Sequence, residues 1–380
     1  MFDLNEKQLL AQKLFRDFAE KEVKPLAAEI DEEERYPRET VEKLHRYGMM
    51  SIPFAKEYNG AGADYLTYIL CVEEMSKVCA TTGVIVSAHT SLCSAPIDYW
   101  GTEEQKTKYL IPLNTDKIGA FGLTEPNAGT DAAEQQTTAI KDGDHYILNG
   151  SKIFITNSEE AETYVIMAMT DKSQGTRGIS AFIVEKGMPG FSFGIAEKKM
   201  GIRGSSTHEL IFNNVILPEA NLLGKEGQGF KIAMHTLDGG RIGIAAQALG
   251  IAQGSFNEAV KYVNERKQFG KTIASFQNTQ FKLAEMQTQI DAARLLVYRA
   301  AMCKQDGKPY AVEAAMAKLF ASETAMSVTT KVVQLFGGYG YIRDFPVERM
   351  MRDAKITEIY EGTSEVQKMV ISAAILKGGK

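Results

Sequence analysis

Apolar positions in the first third of the chain recur near the helical period. Leu10, Leu14, Phe18 and Leu26 are set among Lys, Glu and Arg between Asn5 and about Asp116, the pattern of helices with one buried face. Pro25 lacks the N–H that a helix interior needs, so it should end or kink the first of them. Further helices are predicted at 38–47 and 65–79. The run Gly83-Val84-Ile85-Val86-Ser87-Ala88-His89 is too apolar for a surface loop and predicts a buried helix. A short charged helix at 102–113 closes the segment. From about Ile118 to Gly224 the period changes. Tyr146-Ile147-Leu148 and Ile153-Phe154-Ile155-Thr156 flank Asn149-Gly150, a dipeptide favoured in tight turns, and predict a hairpin. More strands are expected at 163–170, 178–185 and 208–216. No helix-length run interrupts them, which argues for an antiparallel barrel or sandwich over a doubly wound sheet.

From Gly227 onwards the helices return and are long. Ile242, Ala245, Leu249, Ala252, Phe256, Ala259 and Val263 keep a three- or four-residue spacing, as do Leu283, Met286, Ile290, Ala293 and Val297, and 311–333 adds another run. Many seam positions are Ala or Gly, which lets backbones approach as in a four-helix bundle. The predicted fold is an α+β multidomain protein: an all-α domain at 1–117, an antiparallel β-barrel or sandwich at 118–226, and a helical bundle at 227–380. The apolar stripes of the bundle leave surface for association between bundles.

Composition narrows the function. A length of 380 residues suggests two or three domains, and 44% hydrophobic with 24% charged residues is globular. A net charge of −5 gives no support for a nucleic-acid or anionic-membrane surface. No 18-residue apolar run and no basic-then-apolar leader is found, so a cytoplasmic location without a membrane span is expected. Cys71, Cys79, Cys93 and Cys303 form no C-x-x-C pair and read as free thiols. The five histidines lack metal-site spacing, and no G-x-S-x-G elbow supports a serine hydrolase.

Five segments carry candidate chemistry. In Tyr360-Glu361-Gly362-Thr363 a carboxylate stands between a bulky ring and a glycine at a helix entry. Apolar surroundings raise a carboxyl pKa, as a general base for a weak acid requires; a dipole-compensating Glu is the bland alternative. The loop from Phe121 to Asp131 offers hydroxyls and backbone N–H groups, or is an ordinary turn. Alternation puts Phe154 and Thr156 on one strand face, fit to stack on a flat ring or simply half-buried. In Asn264-Glu265-Arg266-Lys267-Gln268-Phe269-Gly270, Arg can grip a diphosphate and Phe can pack on a base, or the segment is a basic helix end. Phe336-Gly337-Gly338-Tyr339-Gly340-Tyr341 follows a helix, so it is no dinucleotide fingerprint and by itself reads as a helix-ending turn.

Taken in order, the chain resembles the acyl-CoA dehydrogenase family over essentially its full length. The motifs that carry the resemblance are Gly122-Leu123-Thr124-Glu125-Pro126-Asn127-Ala128-Gly129-Thr130-Asp131, Asn149 to Asn157, Glu265 to Gly270, Gln334 to Gly340, and Met351-Arg352-Asp353-Ala354-Lys355 running into Tyr360-Glu361-Gly362-Thr363. Within the family, Thr236 to Ala245 is most similar to the short-chain, butyryl-CoA branch of anaerobic bacteria.

The resemblance implies FAD as cofactor and oxidation of an acyl-CoA thioester to the trans-2-enoyl-CoA. Glu361 would take the pro-R α-proton while the β-hydrogen leaves as hydride to flavin N5. In the family the thioester carbonyl accepts hydrogen bonds from a flavin ribityl hydroxyl and from the backbone N–H of the base, an oxyanion-hole arrangement. Phe121, Leu123, Thr124, Phe154 and Thr156 match flavin-ring positions, with Phe154 where many members have Trp. Thr130 matches a position contacting the CoA pantetheine and is counted with the cofactor set as well. Asp238, Arg241 and Gly362 match acyl-CoA contacts. Arg266, Phe269, Gln277, Gln334, Gly337 and Gly338 match positions around the FAD adenosine and diphosphate, and Thr363 and Glu365 match FAD contacts after the base. Several of the adenosine and diphosphate positions come from a neighbouring subunit in the family, implying a homotetramer built as a dimer of dimers. Some relatives carry the base just before the arginine matched by Arg241. That position here is Gly240, which cannot act as a base, so Glu361 is favoured. Electrons would pass to electron-transfer flavoprotein, in either direction. An acyl-CoA oxidase using O2 and a non-catalytic flavin- or CoA-binding assembly subunit are the alternatives; the chain's end soon after Glu361 and the retained Glu361 weigh against them.

Overall fold

The computed structural model describes residues 3–377. Eight short helices build the first layer: α1 (Glu6–Phe18), α2 (Ala27–Glu33), α3 (Arg38–Arg46), α4 (Tyr65–Ser76), α5 (Ala80–Ser87), α6 (Ala95–Trp100), α7 (Glu103–Gln105) and α8 (Ile111–Thr115). Asn5 caps α1 through a reciprocal capping box with Gln8. Pro25 sits in a single 3-10 turn, Lys24–Leu26, between α1 and α2, where its missing N–H is tolerated. The predicted apolar run at 83–89 is helical and fully buried, continuing through a π-helical stretch, Ala88–Ser94, into α6.

The middle layer is one eight-stranded sheet: β1 (Gly119–Gly122), β2 (Thr138–Asp142), β3 (His145–Thr156), β4 (Thr163–Met169), β5 (Ile179–Glu185), β6 (Phe191–Ala196), β7 (Thr207–Pro218) and β8 (Leu222–Leu223). The order runs β6-β7-β3-β2-β4-β5-β8, with β1 beside β4. Most pairs are antiparallel, but β1 runs parallel to β4, and β2 meets β4 in parallel at one position. The hairpin expected at Asn149-Gly150 does not exist. Both flanking runs belong to β3 and pair with β7, with a register shift between Leu148 and Gly150. Gly150 has φ +136°, and a Cβ there would lie 2.6 Å from Thr137 Oγ1, so this glycine marks a bulge inside a strand. The hairpin is one step earlier, between β2 and β3 at Gly143 (φ +62°).

The third layer is the bundle of α9 (Gly229–Glu265), α10 (Gln277–Gln305), α11 (Ala311–Phe336), α12 (Val347–Ile356) and α13 (Ser364–Lys377). The 37 residues of α9 span about 55 Å at ~1.5 Å each. Its middle is apolar all round because α4, α5, α11 and the sheet cover it from different sides. Arg352 on α12 clamps the layers together. It is bonded to Asp31 of the first domain (2.6 and 3.1 Å), to the Met200 carbonyl of the middle one (3.0 Å) and to Glu348 (2.7 and 2.9 Å). The next residue, Asp353, accepts the Ile202 N–H at 2.6 Å. Among the described residues no helix is long and apolar enough to cross a membrane.

Candidate active site

The three layers meet around a cavity of about 320 Å³. The β1 end and the loop after it supply Phe121, Leu123, Thr124 and Thr130; β3 supplies Phe154 and Thr156; α9 supplies Leu237 and Arg241; the turn before α13 supplies Tyr360, Glu361 and Gly362. Phe154 is 60% exposed and has φ +58°, at a second register irregularity of β3 against β7. An aromatic side chain rarely adopts that backbone region. Here the bulge turns a bare ring face into the cavity beside the Thr156 hydroxyl, a wall suited to a flat heterocycle.

That wall is braced from behind. Lys152, the β3 residue two before Phe154, is completely buried and donates to the Leu123 carbonyl (3.1 Å), Glu125 Oε1 (2.7 Å) and Gln135 Oε1 (2.8 Å). Glu125 also accepts the N–H groups of Gln136 (2.6 Å) and Thr137 (3.1 Å). Burial works to raise the Glu125 pKa, but Lys152 and these donors win and hold it below the ordinary carboxylate range. The Phe121–Thr124 segment is thereby tied to β3.

Opposite lies Glu361. Its residue is half-open to the cavity, yet Oε2 is out of contact with bulk water and has no hydrogen-bond partner. Burial pushes its pKa up to about 7, with Lys318 and Arg241 pulling the other way. The backbone is left-handed at two successive residues, φ +58° at Glu361 and +94° at Gly362. Three side chains grip the carbonyls of this turn. Arg241 Nε (3.4 Å) and Gln367 Nε2 (3.3 Å) donate to the Glu361 carbonyl; Gln367 Nε2 (2.8 Å) and Lys318 Nζ (2.7 Å) donate to that of Gly362. The Tyr360 hydroxyl is bonded to the buried Gln247 of α9. A Cβ on Gly240 would lie 2.6 Å from Glu361 Oε2 and 2.8 Å from Leu92 Cδ2. The helix position that could have carried a base instead is therefore the place against which this carboxyl rests.

Asp238 backs the cavity without lining it. It holds Arg241 at 2.7 Å and faces a neighbouring hollow with Lys304 and Tyr310. Arg266, Gln334, Gly337 and Gly338 line a separate cleft of about 430 Å³, where Tyr262 stacks on Phe336 and Arg266 covers the Tyr339 ring. The two spaces share no residue. Phe269 (93% exposed), Gln277, Thr363 and Glu365 line neither. Thr363 Oγ1 instead accepts the Val366 N–H at the start of α13. A larger groove of about 1110 Å³ lies elsewhere, walled by Arg16, Glu73, Glu74, Lys77 and Arg294. These charges pair with one another, so size alone does not mark the site.

A flat aromatic wall, a hydroxyl beside it, a desolvated carboxyl across from it and an arginine-lined cleft fit a flavin adenine dinucleotide and a proton-abstracting reaction. Models of the acyl-CoA dehydrogenase N-terminal, middle and C-terminal domains match residues 5–117, 120–215 and 227–376. The chain belongs to the acyl-CoA dehydrogenase family and is an FAD-dependent enzyme of that class. Within it, the chain is 65% identical to a short-chain specific acyl-CoA dehydrogenase of Clostridium acetobutylicum, covering 99% of this chain and 100% of the relative. The solved butyryl-CoA dehydrogenase of Megasphaera elsdenii is 55% identical, with a TM-score of 0.98 over 99% of this chain and 100% of that one. A chain of a solved structure described as the electron transferring flavoprotein of Acidaminococcus fermentans, in the context of flavin-based electron bifurcation, is 59% identical with a TM-score of 0.98, covering 99% of each.

Sequence reasoning missed Lys318, Gln367, Gln247 and the brace at Lys152. A signal for Lys318 was present: it is the one basic residue on a stripe of buried alanines, Ala314, Ala317 and Ala321.

Proposed function

We propose that the protein catalyses α,β-dehydrogenation of short-chain acyl-CoA, butyryl-CoA to crotonyl-CoA, with Glu361 as the base that takes the α-proton. The observation that carries this reading is the unpartnered, desolvated Glu361 carboxyl facing the Phe154–Thr156 wall across a small cavity. FAD, when bound, supplies the hydride acceptor. Phe121, Leu123, Thr124, Phe154 and Thr156 would hold its ring. Thr130 at the rim, and Arg241 fixed by Asp238, would orient the thioester. Among the described residues the Glu361 backbone N–H donates no backbone hydrogen bond, which leaves it able to polarise a carbonyl, and Arg241, Gln367 and Lys318 hold the turn's carbonyls in place. Exclusion of water keeps the Glu361 pKa near neutrality, where a base has most driving force for this proton.

Short-chain preference is supported by the small volume and by Leu92 and Leu237 crowding the cavity, and by the short-chain relatives. Electron-transfer flavoprotein is the proposed redox partner, supported by the similarity to the Acidaminococcus structure. Assembly as a homotetramer, a dimer of dimers, would let the Arg266 cleft, which shares no residue with the Glu361 cavity, serve a neighbour's cofactor together with Phe269 and Gln277, while Thr363 and Glu365 would touch FAD from the loop after the base.

The test is anaerobic mixing with butyryl-, isovaleryl- and octanoyl-CoA while the visible flavin band is followed. Butyryl-CoA is expected to bleach it fastest; faster bleaching by octanoyl-CoA overturns the chain-length reading. Gly240→Ala offers a second check. Its methyl would displace the Glu361 carboxyl, and a misplacement of about 1 Å costs on the order of 10²-fold in rate. FAD content should be unchanged, and stopped-flow reduction by butyryl-CoA measures the loss.

A further inference from the structure

Lys318 is completely buried on α11, and its ammonium has a single hydrogen bond, to the Gly362 carbonyl at 2.7 Å. Among the described residues no carboxylate pairs with it in a salt bridge. Holding a cation in such a place carries the desolvation cost of a buried ion, and one carbonyl offsets little of it. Burial correspondingly depresses the Lys318 pKa to about 8, and the first carboxylate whose field opposes this is Glu361. The charged groups facing the Glu361 carboxyl come from separate elements: Arg241 on α9, itself bonded to Asp238, and Lys318 on α11. Glu358 and Glu365 flank Lys318 on the chain side, while Tyr360 and Tyr68 present neutral phenols. Arg241 is already neutralised in part by Asp238 at 2.7 Å. Lys318 is the cation that has no such counter-charge in contact.

We infer that Lys318 is a positioning residue for the proposed base: it pins the left-handed Glu361–Gly362 turn through the Gly362 carbonyl, and its charge sets the pH range in which Glu361 is ionised. The inference rests on the reading of Glu361 as the base. Two functions are combined in one ammonium and can be separated chemically. A glutamine can still donate to the carbonyl but carries no charge. An arginine keeps the charge, and a methionine keeps neither.

The experiment is the rate of flavin reduction by saturating butyryl-CoA in the holoenzyme, measured from pH 5.5 to 9. Removing an opposite charge near a carboxylate moves its pKa by ~1–3 units. Lys318→Gln is therefore expected to shift the midpoint of the profile upward by about one unit, so that the rate at pH 6 falls about tenfold while the alkaline plateau is kept. Lys318→Met should show the same shift with a lowered plateau, and Lys318→Arg should restore the midpoint. A purely structural role would lower the rate uniformly at every pH, and that result in Lys318→Gln overturns the inference. So does a shifted midpoint in Lys318→Arg, the variant that best preserves volume and charge. The Glu361→Gln protein is run alongside. If it still reduces its flavin, the base reading fails; if it is inactive and the Lys318→Gln profile is unmoved, only the role of Lys318 fails.

Discussion

Glu361→Gln is expected to slow flavin reduction by butyryl-CoA at least about 10³-fold, within the ~10²–10⁴ that a positioned general base supplies, while FAD and CoA-ester binding persist. The amide has the shape of the carboxyl and fits the same pocket against Gly240, but it cannot take up a proton. No neighbour is placed to substitute. Arg241 and Lys318 are cations, the Tyr360 phenol is buried and bonded to Gln247, and Asp238 is held by Arg241 and faces the neighbouring hollow. A variant that reduced its flavin at the parent rate would move the base to another residue. The parent's rate should also carry a pH signature. Burial lifts the Glu361 pKa to about 7, so the rate rises with pH through that value as the carboxylate forms. The sign for stability is opposite. A carboxyl whose pKa is higher folded than unfolded binds more protons in the folded state, so its cost is absent below about pH 4.5 and complete above about pH 7. At pH 8, therefore, Glu361→Gln should melt no lower than the parent in a thermal scan.

The layer order was legible in the sequence because each layer has its own hydrophobic period. The long runs of α9, α10 and α11, the continuous apolar runs of the buried β4 and β5, and the partial alternation in β7 mark them as helices and strands. Four strands, β1, β2, β6 and β8, lie outside the expected ranges; β1 and β8 are only four and two residues long. β2 is mostly exposed, Thr138–Asp142, and β6 is only half-buried along its length, so neither shows clean alternation. Asn149-Gly150 misled for a specific reason. The same left-handed freedom that suits a hairpin turn suits a strand bulge, and only the pairing of both flanks with β7 separates them. Of the residues expected at the site, Phe121, Leu123, Thr124, Thr130, Phe154, Thr156, Arg241, Glu361 and Gly362 line one cavity, while Gly129, Asp131, Ile155 and Tyr360 of the same motifs line it without having been given a role. The supports were not identified, because Lys152, Gln247, Lys318 and Gln367 act on carbonyls and side chains that are 17 to 113 residues away in some cases. A one-dimensional pattern can flag Lys318 as a lone cation among alanines but does not name the carbonyl it holds. The MRDAK motif shows the converse: its conspicuous charges at Arg352 and Asp353 lock domains together and stand apart from the cavity.

Lys152→Met should be the most damaging single change to the fold near the site. Methionine fills similar space, so the loss is electrostatic. The Glu125 carboxylate, only 4% exposed, keeps the Gln136 and Thr137 N–H groups but loses its cation, and the Leu123 carbonyl and Gln135 amide oxygen each lose a donor. Breaking one partner out of a buried pair costs ~3–5 kcal/mol, which for a chain of this size is a fall in Tm of roughly 4–6 °C. The damage is directional, since Lys152 ties β3 to the loop that presents Leu123 and Thr124 to the cavity. FAD should therefore be released at lower temperature than the parent releases it, and excess FAD should recover part of the lost Tm by mass action. Removing the stranded charge as well, in Lys152→Met with Glu125→Gln, should restore more stability than either single change predicts, because the residues form one network. Differential scanning fluorimetry on flavin and protein signals measures both transitions. An unchanged Tm in the single variant would mean that water or another group already solvates Glu125, and that the wall carrying Phe154 stands without its brace.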